Sequence, residues 1–149
     1  IDVFFEPKKF KINSKKFFIG HGDGLGPGDY GYKFLKLIFR NSFFKFLFSC
    51  IHPDISIRIG EYLSRKNSVI SGKEIKFESN EKELLFNYCK KILKSDHYNY
   101  FVFGHRHLPL KINLGNNSEY YNCGDWFNHY SYLDFTNSEL TLKYFNPEI

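Results

Sequence analysis

The sequence contains no methionine and no alanine, and only one tryptophan and five prolines among its 149 residues. Long apolar runs are missing too. The densest, from Phe34 to Ile51, is broken by Lys36, Arg40 and Lys45 and falls short of the ~20 uninterrupted residues that a spanning helix needs. That excludes a membrane span but leaves a segment able to lie on a membrane surface. Cysteine is sparse, with Cys50, Cys89 and Cys123 far apart and no Cys-x-x-Cys pair, which excludes a thiolate zinc site and a disulfide framework. A reducing cytosol is therefore the expected compartment. No charged n-region followed by an apolar h-region and a small-residue cleavage site opens the sequence, although a lost N-terminus could have carried one, and there is no internal repeat or low-complexity tail. The missing methionine and the strand-like opening Ile1-Asp2-Val3-Phe4-Phe5 read as a fragment that begins inside a strand.

What is present is a chain of one-domain length, able to bury a real core. Its 18 Phe and 11 Tyr accompany many Ile, Asn and Lys, a bias that AT-rich codons produce by themselves, so aromatic richness says little about function. The net charge of +5 suits an anionic partner, whether phosphate ester, acidic lipid or nucleic acid. The basic residues are dispersed and no recognition module is evident, which argues against nucleic acid.

Short β-rich runs at 1–5 and 10–12 lead to Lys16-Phe17-Phe18-Ile19, which meets Gly20 and a glycine-rich loop over 21–29. His21 thus falls just past the C-terminal end of a strand, where open α/β sheets place ligands. From Tyr30 to about Ser64 the pattern predicts three short helices, broken near Asn41-Ser42 and at His52-Pro53-Asp54, with Pro53 suited to a first helical position. Residues 65–79 read as a polar loop with a short extended piece around 75–77. Asn80 and Glu83 look like an N-cap pair for a helix ending near Ser95, its apolar face formed by Leu84, Leu85, Tyr88, Ile92 and Leu93. Strands are expected at 99–103, 110–114, 119–122, 131–135 and 139–145, with Asn116-Asn117 as a hairpin turn.

The chemistry-bearing motifs are Gly20-His21-Gly22-Asp23 and Gly104-His105-Arg106-His107. Alone, a His-x-His is more often two surface histidines in a turn. On an extended loop, however, its i, i+2 spacing puts both imidazoles on one side, and glycine permits close backbone approach. Histidines on loops after neighbouring strands can converge on two metal ions.

Tyr100-Phe101-Val102-Phe103-Gly104-His105-Arg106-His107-Leu108-Pro109 resembles the strand and Gly-His-x-His that close the calcineurin-like metallophosphoesterase pattern. Phe17 to Asp23 resembles that family's preceding histidine motif. With Asp29, a helical insertion and a Ser-rich loop between, the chain is similar over essentially its whole length to the UDP-2,3-diacylglucosamine diphosphatases of lipid A biosynthesis, and Gly20 to Lys36 to their Bacteroidetes form.

The resemblance implies an α/β (α+β sandwich) fold, mixed sheets flanked by helices, in one incomplete domain over 1–149. Within it, 30–71 would form a helical lid for acyl chains that also touches the cytoplasmic face of the inner membrane. It implies two divalent ions, Mn2+ being expected, with His21 and His105 on one and His107 on the other, and His105 also near substrate phosphate. Asp29 would contact substrate or cap the following helix, Asp23 would orient His21 or simply shape a turn, and Ser64 would contact substrate. Arg65 and Lys66 read rather as a solvated basic edge. His52, His97 and His129 read as structural, and Asn122-Cys123-Gly124-Asp125-Trp126 as a possible buttress of undetermined chemistry. The family's Asp-x-His, Gly-Asp and Gly-Asn-His motifs do not precede His21.

Overall fold

The computed structural model describes residues 2–25, 30–71 and 83–146. It divides into two compact units, Gly28–Lys76 and the remainder, Ile1–Pro27 with Phe77–Ile149.

The larger unit is built on a mixed five-stranded sheet in the order β1-β2-β3-β5-β4, from β1 (Lys8–Ile12), β2 (Lys15–Ile19), β3 (Tyr100–Phe103), β4 (Pro109–Gly115) and β5 (Ser118–Cys123). The central strands β2, β3 and β5 run parallel, with Ile19 opposite Val102 and Phe103 opposite Asn122, while β1 and β4 are antiparallel edges. A separate hairpin, β6 (Ser131–Thr136) and β7 (Glu139–Tyr144), completes the strands.

Alternation along each strand sorts the core into two layers. Phe18, Phe101, Phe103, Tyr120, Ile112 and Leu114 face α4 (Leu84–Ile92), packing with Leu85 and Cys89. Their neighbours Phe17, Tyr100 and Tyr121 face the β6–β7 hairpin through Leu140, with Leu133, Phe135 and Leu142 around them. Consecutive residues thus serve opposite layers, and the central strand β3, Tyr100-Phe101-Val102-Phe103, is a continuous apolar run because both its faces are covered. Burial lifts the Tyr121 phenol to about 12, and its hydroxyl donates to the Leu140 carbonyl at 2.6 Å, tying sheet to hairpin.

Three two-residue turns, Asn13-Ser14, Asn116-Asn117 and Asn137-Ser138, have positive φ at both positions. This is the turn that matches strand twist, and Asn tolerates it better than most residues.

Three expectations are corrected. Residues 2–7 form no strand, since Val3, Phe4 and Phe5 are exposed and Pro7 lacks the N–H a ladder would use. The edge begins instead at Lys8. The stretch 65–71 is helical rather than loop, because α3 (Pro53–Ser71) runs on from Pro53 for 19 residues. The later helix starts at Leu84 with Glu83 at its N-cap, and that side chain makes no capping bond. Asn80 and the extended piece at 75–77 lie outside the described residues.

The smaller unit holds α1 (Tyr30–Arg40), α2 (Ser42–Ser49) and α3. Asn41 separates the first two by accepting the Phe43 N–H at 2.9 Å, an N-cap contact. No residue of α2 is buried, and Phe34, Leu37, Phe43 and Phe46 are exposed. Among the described residues no helix is long and apolar enough to cross a membrane.

Candidate metal-binding site at the ends of three parallel strands

The parallel strands β2, β3 and β5 end on one edge of the sheet, and each is followed by a glycine and then a potential ligand: Gly20-His21, Gly104-His105 and Gly124-Asp125. The ladder continues into the first two loops. Gly20 N–H donates to Val102 O at 3.0 Å, and the His21 carbonyl accepts from Gly104 N–H at 3.0 Å and His105 N–H at 2.9 Å. Both histidines therefore leave the sheet at one level, their rings edge to face with centroids 5.3 Å apart.

Gly22 explains the glycine beyond His21. Its φ is +105°, and a Cβ there would stand 3.1 Å from Leu85 Cδ1 and 3.3 Å from His105 Cβ. Gly104 is different: a Cβ would meet only His21 Nδ1, at 3.8 Å, so among the described residues the space over it beside the imidazole is open.

The segment 104–107 is a turn, not the extended loop expected, since His107 N–H donates to Gly104 O at 3.2 Å and His107 has φ +52°. The i, i+2 rule for extended chains fails there. His107 turns towards Asp125, Nδ1 to Oδ2 3.9 Å, with 63% of its side chain exposed. Among the described residues no group of three or more His, Cys, Asp or Glu is close enough to hold a metal ion. The 5.3 Å between the His21 and His105 ring centroids is comparable to the roughly 5 Å that nitrogen-to-metal bonds of roughly 2.0–2.1 Å would set between two imidazoles on one tetrahedral ion.

Asp23 stands in the turn after Gly22. Asp29 lies outside the described residues, and Ser64 lies in α3, in the other unit. His52 and His97 serve local structure, facing Asp54 and the Asn116 carbonyl respectively.

Two residues have larger parts than the sequence reading gave them: Asp125, read within a possible buttress of undetermined chemistry, and Glu83, read as half of an N-cap pair. Asp125 accepts the backbone N–H groups of Phe127, Asn128 and His129 through Oδ1, and Oδ2 lies 3.5 Å from His129 Nδ1 as well as near His107. The Asn128 backbone bond, then its side chain and the His129 N–H, hold this carboxyl far below its ordinary 3.8 against the opposing effect of burial. A third strand, glycine and acidic residue was the available signal. Glu83, 3% exposed, faces Arg106 Nε at 3.1 Å and the Tyr120 hydroxyl at 3.5 Å. Burial, reinforced by that carboxylate, raises the Tyr120 phenol well above its usual range, so it stays a donor.

A depressed folded pKa stabilises above the unfolded value and is lost as pH falls through the folded one. The Asp125 contribution is thus complete above about pH 4 and declines on acidification. Thermal melts from pH 7 to 3 should show a shallower acid limb in Asp125→Asn than in wild type, and parallel curves would refute the assignment.

No family model matches the chain. It is 25% identical over 147 residues to the UDP-2,3-diacylglucosamine hydrolase of Porphyromonas gingivalis (strain ATCC BAA-308 / W83), an alignment covering 89% of this chain and 56% of that protein. The likeness supports a distant relationship to that hydrolase. The chain spans little more than half the length of the relative it matches.

Proposed function

We propose that this chain carries part of the site of a metal-dependent phosphoester hydrolase, and that its substrate is the diphosphate of UDP-2,3-diacylglucosamine, cleaved to lipid X and UMP in lipid A biosynthesis. The observation that carries the reading is the His21–His105 pair, 5.3 Å apart on the loops after adjacent parallel strands. The relative's name supports the substrate.

In this reading His21 and His105 share one divalent ion, His107 serves a second, and Mn2+ is the metal. Bound ions would activate water and neutralise charge on the phosphoryl group. The protein's own contribution is geometric: the His21 carbonyl fixes the turn that carries His105, and Asp125 and Asp23 orient imidazoles, as ligand histidines require. His105, Asp29 and Ser64 are proposed substrate contacts. The helical segment 30–71 is the proposed lid, its exposed Phe34, Leu37, Phe43 and Phe46 facing acyl chains or the cytoplasmic face of the inner membrane.

A second reading is a catalytically inactive lipid- or protein-binding remnant. It is favoured by the lack of a three-ligand group among the described residues and by the exposed aromatic side chains of α1 and α2. Calorimetric titration with Mn2+ separates the two. Saturable binding, weakened about 10-fold or more in His21→Ala, is expected, and absence of binding refutes the hydrolase reading for this polypeptide. UMP release from UDP-2,3-diacylglucosamine then tests the substrate, and cleavage of a simple aryl phosphodiester instead would assign the site to another phosphoester.

A further inference from the structure

Glu83 occupies the N-cap of α4, but its carboxylate caps nothing there. Glutamate is not a preferred residue at that position, and a carboxylate withdrawn from water is costly unless it is paired. At 3% exposure Glu83 is withdrawn, and it is paired with Arg106 Nε at 3.1 Å, with the Tyr120 hydroxyl at 3.5 Å on its other oxygen. Arg106 separates His105 from His107 in the chain. The same first turn of α4 also reaches the other histidine loop, for Leu85 Cδ1 lies where a Cβ on Gly22 would come within 3.1 Å.

The turn 104–107 joins β3 to β4; on its β3 side the N–H groups of Gly104 and His105 meet the His21 carbonyl, and at its other end His107 faces Asp125. Arg106, between the two histidines, ties the middle of the turn to the first turn of α4 through Glu83. Exposed Arg–Glu pairs contribute little, but here the carboxylate is buried, and the Arg106 Nε that faces it is shut off from water although 35% of that side chain is exposed.

We infer that Glu83 is a positioning residue: by holding Arg106 it sets the turn that presents His105 and His107. The inference rests on the hydrolase reading for what those histidines do, but the tether itself is testable without it.

The test uses the full chain with Glu83→Gln, which keeps shape and loses charge, and Arg106→Gln as the complementary variant should the first fold poorly. Amide hydrogen exchange is measured by NMR, and Mn2+ affinity by calorimetry. Expected is exchange at Gly104, His105 and His107 faster by about 10-fold or more, amides of β3 and β5 changing less than about twofold, and Mn2+ affinity falling about 10- to 100-fold. Equal acceleration throughout β3 and β5 would reduce Glu83 to a general stabiliser and overturn the proposal, as would unchanged exchange in the turn. Local acceleration with unchanged Mn2+ affinity would overturn the link to the histidines. If the wild type takes up no Mn2+, the hydrolase reading fails, and the exchange pattern alone decides whether Glu83 positions the turn.

Discussion

Phe101→Ala should lower folding stability by about 3–5 kcal/mol, the range for removing a buried phenyl ring. Phe101 is fully buried at the middle of β3, paired with Phe18 on β2 and Tyr120 on β5. Its ring packs 5.6 Å from that of Phe18 and 5.4 Å from that of Tyr98, between the sheet and α4. Those neighbours are themselves buried and anchored in strands or by hydrogen bonds, so the cavity cannot easily close and the upper part of the range applies. The same strand carries the histidine loop, because Val102 O receives Gly20 N–H and the His21 carbonyl receives the next two donors. Loss of the ring should therefore loosen the site before the whole unit unfolds. Urea unfolding of Phe101→Ala beside Phe127→Ala checks this. Phe127 is 87% exposed and should cost within about 0.5 kcal/mol. A Phe101→Ala cost below about 1.5 kcal/mol, the scale of a volume-conserving swap, would mean that the core repacks and that the assigned layers are wrong.

The layers themselves were legible because hydrophobic pattern is a local property. Runs such as Tyr100-Phe101-Val102-Phe103 are apolar on both faces, which suits a central parallel strand, and β4 alternates as an edge strand should. The Asn-Asn turn was readable for the same reason. Helix and strand ends were less so: nothing within residues 1–5 reports that they lack a pairing partner, and the polar content of 65–71 looks like loop although it continues a helix. At the candidate site, the placement of His21 and His105 on loops directly after strands was legible. The turn that swings His107 to Asp125 was not, because a positive φ at a histidine depends on tertiary contacts that the local sequence does not carry. The role of Glu83 was not legible because its partners Arg106 and Tyr120 lie far along the chain, whereas Asp125 meets mainly the nearby Phe127, Asn128 and His129. Periodicity carries contacts within an element, whereas a buried carboxylate is explained only by what meets it.

Gly124→Ala is expected to cost about 2–4 kcal/mol and to act directly on the loop that carries Asp125. Two independent penalties contribute. Gly124 has φ +74°, a left-handed conformation that costs an L-residue roughly 1–2 kcal/mol. A methyl there would also stand 3.0 Å from Pro109 Cδ and 3.2 Å from its Cβ, and would collide with the Ser131 hydroxyl. The proline ring is rigid and starts a paired strand, so it cannot withdraw, and overpacking of this kind costs about 1–3 kcal/mol. Ser131 can rotate, but its hydroxyl donates to the Cys123 carbonyl at 2.6 Å, so turning away breaks a bond next to the substituted residue. The two effects separate in a double-mutant cycle. Ser131→Ala alone should cost about 1 kcal/mol for the lost hydrogen bond, and Gly124→Ala/Ser131→Ala should be less destabilised than the sum of the singles, because the collision then disappears while the backbone penalty and the proline contact remain. Additivity within about 0.5 kcal/mol would show that the hydroxyl is not in the way. The functional consequence follows from position: Gly124 is the residue on which Asp125 turns away from β5, so the variant should shift the carboxylate that His107 and His129 face. Its His107 and His129 imidazole NMR signals should move even at temperatures where the fold is intact, whereas those of His97, which bonds to the Asn116 carbonyl at the other end of the sheet, should stay in place.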